Sequence, residues 1–320
     1  MPVKTPYPRL KHRSTSTRSP KVFDSVVVGG GPAGLSAAIY LARYNRTVLV
    51  IDAGEGRSTS HETNQNYLGF PRGIPSRALR ARGCQQAKRF GAEFADGRVT
   101  SVRSDAQGFV VRAGRKIFRC RTVIVATGVI DRFPDIDDVE KYVGVSLFWC
   151  ITCDGWKTRG KNIVVVGNSD EAATTALQFL NFTHEVTLLT NEERVKISVK
   201  KQRDLGRAGI VVVRGRVRSV LARGGKMRAL ETTNGEQIQL DMMFSSLGSD
   251  PHIEIAKELR LKLDTGYIKT DMEQRTSRRR VYAAGDVTKA FAHQIVTAAH
   301  EGATAAQAAN FDLYEPTQRE

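Results

Sequence analysis

Three observations predict an α/β chain built of two parallel-sheet units. One stretch starting at Ser25 and another starting at Asn162 each read apolar strand, small-residue turn, helix and second apolar strand. A chain of 320 residues with 41% apolar content is also long enough to bury two cores of ordinary size. Both units are therefore expected to be Rossmann-like, three-layer ββα arrangements.

The first unit reads SVVVGGGPAGLSAAIYLARYNRTVLVID. Gly29 permits the tight turn after the strand, Gly31 lets backbone approach a pyrophosphate, and Gly34 lets the helix that starts around Pro32 and Ala33 pack closely on the sheet. Asp52 ends the second strand, 23 residues after Gly29, where an acid can accept from ribose hydroxyls. A dinucleotide is expected here. Two further apolar strands end in small-residue turns, at Ala126, Thr127 and Gly128 and at Gly285 with Asp286, and alone either could be plain sheet core.

The second unit, NIVVVGNSDEAATTALQFLNFTHEVTLLTNEE, repeats the order with a damaged turn. Gly167 is kept, but Ser169 stands where a second Gly would admit a phosphate and Ala172 takes the third place. After the second strand come Thr190, Asn191, Glu192 and Glu193 instead of an Arg for a 2′-phosphate, and two carboxylates there repel one.

Between the units lies FWCITCDGW, with Cys150 and Cys153 at the spacing of a small reversible disulfide and Asp154 beside the second sulfur. Redox chemistry is the leading reading, against a vestigial pair or a metal site. The metal reading lacks a second Cys-x-x-Cys or paired His, so no metal is expected. Asp154 is either a turn residue or a proton carrier to the sulfurs. Trp149 and Trp156 either pack around the loop or help dock a partner. Cys84 and Cys120 read as inert packing residues, and four cysteines suit a reducing, cytoplasmic compartment.

The net charge of +16 is concentrated. The first 21 residues carry six Lys/Arg and no acid, and residues 194–228 carry 12 Lys/Arg against Asp204 alone. The first segment reads as a disordered basic arm; its Ser- and Arg-rich composition is that of a transit peptide, but it lacks the amphipathic face. The second reads as a solvated face or as the docking surface of an acidic partner. No apolar run reaches the ~18 residues of a membrane-spanning helix. Neither a membrane nor a nucleic-acid partner is expected.

Residues 29–34, 126–128, 150–154 and 285–286, in this order, resemble the low-molecular-weight thioredoxin reductase family, over about residues 22 to 310. CITCDG is the most specific element, and NYLGFP, which begins at Asn66, is similar to a family segment near the flavin. The resemblance implies FAD as cofactor, a thioredoxin-like or other disulfide as partner, and a homodimer. It also implies a discontinuous flavin domain, residues 22–130 and 250–320, with a nucleotide-like domain, 131–249, inserted.

By the same resemblance Cys153 faces the flavin as a charge-transfer thiolate, Cys150 exchanges with the partner disulfide and Asp154 is the acid/base. Asp286 then binds the ribityl and phosphate region, and His293 and Gln294, followed by Ile295, take the place of the family's Arg-Gln pair beside the isoalloxazine. The altered second unit resembles the branch that works without NADPH, which draws electrons from an acidic protein such as ferredoxin or carries a second flavin. Alternatives are a dithiol oxidase passing electrons to oxygen, an NADH-dependent disulfide reductase and a catalytically lapsed flavin-binding module. Tyr314, just past the last helix, is a candidate to cover an exposed isoalloxazine face.

Overall fold

The computed structural model describes residues 21–54, 56–289 and 291–318; residues 1–20, most of the basic arm, lie outside the described residues. The first sheet is built on the strand Val22–Val28, which runs parallel between Val48–Asp52 and Lys116–Val125. Glu93–Asp96 extends it on one side. On the other side the long strand Lys116–Val125 serves two neighbours in turn, the antiparallel Gly108–Ala113 along its first half and the parallel Val281–Ala283 along its last three residues.

Val26, Val27, Val28, Leu49, Val50 and Ile51 are all buried, as expected of strands covered on both faces. Alternation sends Val27, Val50 and Ile124 toward a layer of helices, and Val26, Val28, Leu49 and Ile51 toward the opposite layer with Val102, Phe109 and Ile255. The helical layer contains α1 (Pro32–Arg43) and α2 (Ser76–Arg89) from this half of the chain.

The second sheet has the order Leu147–Phe148, Met242–Ser245, Ile163–Val166, Val186–Leu189, Val211–Val213, all parallel. Three helices precede or interleave with these strands: α3 (Ile151–Asp154), α4 (Asp170–Phe179) and α5 (Val199–Arg207). Phe148, Phe179 and Phe244 form the centre of its core. An antiparallel three-stranded sheet, Val217–Arg223, Lys226–Thr232 and Gln237–Gln239, flanks it and was not legible from periodicity.

The chain crosses between the sheets twice, and the crossings, Val129–Asp131 and Ser249–Pro251, lie side by side as an antiparallel pair. After them come α6 (Glu254–Glu258) and α7 (Ile295–Leu313). The last helix returns to α1 through small residues: a Cβ on Gly302 would stand 2.0 Å from the Ala33 carbonyl oxygen, so the two helix backbones touch. Among the described residues no helix is long and apolar enough to cross a membrane.

Candidate active site

Four parallel strands of the first sheet end at one edge, and the residues that follow them face a common crevice, where open α/β sheets bind ligands. Gly29, with φ of 107°, turns the chain away from the strand; a Cβ there would lie 2.2 Å from the Ala126 carbonyl oxygen. Gly34 is equally confined, its Cβ position 1.9 Å from the Gly29 oxygen. Gly31 is different. It caps α1 with ordinary backbone angles, and a Cβ there would meet nothing within 4 Å.

Helix α1 begins with Pro32 and has neither a side-chain cap nor an acid in its first turn, so its N-terminal N–H groups and the positive end of its dipole stay open to an anion. This open cradle at Gly31 fits a pyrophosphate. Asp52 accepts the Gly30 N–H at 2.9 Å and pairs with Arg80, a partner the sequence did not point to. Ala126, Thr127 and Gly128 follow the central strand, with Thr127 donating to the His252 carbonyl oxygen at 2.8 Å. Gly285 donates to the buried Glu301 at 2.7 Å.

Asp286 belongs to a cluster that sequence reading missed. Arg57 reaches Asp131 at 2.7 Å through Nε and Asp286 at 2.8 Å through Nη1. One guanidinium thus serves two partly buried carboxylates, one beside the dinucleotide turn and one on the crossing strand. Burial, against the attraction of Arg57 and with some repulsion from Asp286, pushes Asp131 up to about 6. Arg57→Gln is expected to destabilise the fold by about 2 kcal/mol, less than a fully buried pair would because these groups touch solvent. The loss should be larger well above pH 6, where Asp131 is ionised, than well below it, where a proton already neutralises it. Urea unfolding at the two pH values measures this.

The cysteines meet this crevice. Cys150 and Cys153 form a disulfide, with Cys150 capping α3 and its sulfur accepting the Cys153 N–H at 3.1 Å. Gln294, the residue before α7, places Nε2 3.5 Å from the Cys150 sulfur and 3.6 Å from the Cys153 sulfur. Asn66 orients that amide by donating to its Oε1 at 2.9 Å. Asn66, Gln294 and both sulfurs are therefore brought together across more than 140 residues of sequence. His293 sits beside them, its Nε2 2.7 Å from the Lys289 carbonyl oxygen, and Ile295 opens α7.

Asp154 is buried and bonded to Lys157 at 2.7 Å. Trp149 packs against His61 at 4.3 Å between ring centres and lies under Arg57, whereas Trp156 is half exposed. Cys120 is buried, which pushes its thiol up to about 12, and burial also raises Cys84, so both thiols are held protonated at neutral pH. The ring of Tyr314 lies 5.0 Å from the Arg46 guanidinium, a contact on the helical layer.

The second unit's turn differs from the first in the way that matters for an anion. Gly167 keeps its place because a Cβ would come within 2.7 Å of the Ser246 oxygen. Ser169 caps α4, its hydroxyl accepting from the Ala172 N–H at 3.2 Å, and Asp170 and Glu171 occupy the first turn. A cleft of about 240 Å3 lies in front, lined by Ser169, Glu171, Thr190, Asn191 and Glu192 among others.

Comparison with known proteins decides the family. The model of the pyridine nucleotide-disulphide oxidoreductases matches residues 23–306. The chain belongs to that family. Within it, the chain is 32% identical over 300 residues to a thioredoxin reductase of Treponema pallidum, covering 90% of this chain and 96% of that one. The crystal structure of thioredoxin reductase from Streptococcus pyogenes superposes with a TM-score of 0.86 at 26% identity, covering 92% of this chain and 99% of that one. The atypical thioredoxin reductase TRi from Desulfovibrio vulgaris is 32% identical, with a TM-score of 0.51 and coverage of 90% and 97%. The protein is a flavin-dependent disulfide oxidoreductase of the thioredoxin reductase type, and FAD is the cofactor expected for this family.

Proposed function

We propose that the protein reduces a thioredoxin-like or other disulfide through Cys150 and Cys153 and takes its electrons from a donor other than NADPH. The observation that carries the first part is the disulfide packed on Gln294, at the edge where the first dinucleotide turn opens. Gly29, Gly31, Pro32, Ala33, Gly34, Asp52 and Asp286 would hold FAD, with Asn66, Ala126, Thr127, Gly128, Gly285, His293, Gln294 and Ile295 completing its surroundings. FAD when bound supplies a two-electron couple. The domain limits 22–130, 131–249 and 250–320, homodimerisation and a cytoplasmic location belong to the same reading.

The contrast between the two helix N-termini supports the second part. At α1 no side chain caps the first turn and no acid lies within it, whereas α4 is capped by its own Ser169 and carries Asp170 and Glu171. Carboxylates at the positive end of a helix already use the field a pyrophosphate needs. Glu192 adds another on the cleft wall, held there by Lys196 and Asn168.

An acidic protein such as a ferredoxin suits the surface next to this cleft. Lys200, Arg203 and Arg207 recur along exposed positions of α5, and Arg214, Arg216 and Arg218 follow on the adjoining exposed chain. Such a field speeds encounter with an acidic partner and is screened by salt. Reduced ferredoxin, mixed anaerobically, is expected to bleach the flavin several-fold more slowly as salt is raised from low to physiological strength. A salt-independent rate removes the basic surface from the reading, and no bleaching at all by ferredoxin leaves a second bound flavin as the donor.

A further inference from the structure

The site contains an ionisable group, His61, that neither the cysteine motif nor the dinucleotide turns account for, and it faces the acid of that motif, Asp154. Asp154 is 2% exposed. One of its oxygens, Oδ1, is bonded to Lys157 at 2.7 Å. The other, Oδ2, is buried with no hydrogen bond among the described residues and faces Nδ1 of His61 at 3.4 Å. His61 comes from the other unit, on the segment that also carries Arg57, and is fixed there by Trp149. Its side chain retains 13% exposure against 3% for Asp154, so the imidazole connects the sealed carboxylate to solvent.

We propose that His61 is a positioning residue for proton transfer, carrying protons between Asp154 and solvent during thiol–disulfide exchange. This rests on the disulfide-oxidoreductase reading above. Flavin-derived reduction of the Cys150–Cys153 bond consumes two electrons and two protons and yields two thiols. Cys150 must then lose its proton before its sulfur attacks the partner disulfide; that proton passes to Asp154 and on to His61. Attack forms a mixed disulfide and expels one partner thiolate. Cys153 gives up its proton by the same route, attacks the Cys150 sulfur, re-forms the internal disulfide and expels the second thiolate. The two protons released to solvent through His61 match the two that the expelled thiolates take up from it, so the partner gains two electrons and two protons.

A carrier must be neutral when it accepts. The groups facing His61 are Asp154, Lys157 and Arg57; burial, aided by the two cations, holds the imidazole below its ordinary value against the pull of Asp154. The ring is thus an acceptor at neutral pH, and proton transfer by a positioned imidazole is worth roughly 10²-fold or more.

The test uses FAD-loaded protein, reduced by light under anaerobic conditions and mixed with DTNB, whose coloured thiolate reports exchange. His61→Gln keeps a hydrogen-bonding side chain of similar reach but cannot carry a proton. It is expected to exchange roughly 100-fold more slowly or worse, and its rate should lose the ionisation that His61, held below its ordinary value by burial, is expected to give the wild type. A variant with wild-type rate and pH profile overturns the proposal. A second variant tests the same point in the FAD-loaded protein: His61→Ala should also exchange slowly and recover part of the lost rate when imidazole is added, and a rate that imidazole leaves unchanged overturns the proposal. Reduced wild-type protein that leaves DTNB untouched would remove the underlying reading itself.

Discussion

Replacing Cys153 with Ser is expected to abolish electron transfer between flavin and partner, with turnover falling by at least about 10⁴-fold, the order seen when a covalent nucleophile is removed. No S–S bond can then form within the pair to take two electrons. Cys150→Ser should lose turnover equally, so the spectra distinguish the two. If Cys153 faces the flavin, Cys150→Ser retains a thiolate beside it and displays a long-wavelength absorbance band that Cys153→Ser lacks. The Cys153 N–H donates to the Cys150 sulfur at 3.1 Å, a contact that would also stabilise a thiolate there and suits Cys150 as the sulfur that meets the partner. A band that persists in Cys153→Ser and vanishes in Cys150→Ser exchanges the two roles.

The other large effect is expected at Gly31. Because a Cβ there meets nothing within 4 Å and its φ is −79°, Gly31→Glu leaves the fold intact and changes only the space in front of α1. On the proposed reading a pyrophosphate lies in that space, and the new side chain brings a like charge. The variant should purify folded and colourless, with unchanged far-ultraviolet dichroism. Gly34→Glu, where the Cβ position is 1.9 Å from the Gly29 oxygen, should fail to fold instead, which separates the ligand's demand for glycine from the fold's. Full yellow colour in Gly31→Glu contradicts the placement of the cofactor.

Much of the architecture was legible because parallel strands buried on both faces must read as unbroken β-branched runs, and because the helices between them start at turns only small residues can make. Residues 26–28, 123–125 and 163–166 carry that signal plainly. The strands 217–223 and 226–232 do not, since the exposed cations Arg218, Arg223, Lys226 and Arg228 break up their few buried positions and they read as a charged segment. At the site, Cys150, Cys153 and Asp154 stood out through spacing alone. Arg57, His61 and Arg80 did not, because each acts through a partner brought near only by folding: Arg57 and Asp286 are 229 positions apart. A lone Arg or His in a polar loop carries no periodicity, and only the geometry joins it to the chemistry.

The claim that the second unit has lost NADPH is tested most directly by anaerobic stopped-flow mixing of the FAD-loaded protein with excess NADPH and, separately, NADH. Ser169 capping α4, Asp170 and Glu171 in its first turn and Glu192 on the cleft wall all oppose a phosphate-bearing dinucleotide. NADH meets less opposition, because a carboxylate can hold a free ribose hydroxyl. Flavin absorbance should persist for minutes with NADPH, its loss at least about 10³-fold slower than the turnover of an ordinary reductase, given a median turnover of ~10 s⁻¹. Bleaching by NADPH within the first second would contradict the account and restore the second unit as a working nicotinamide site.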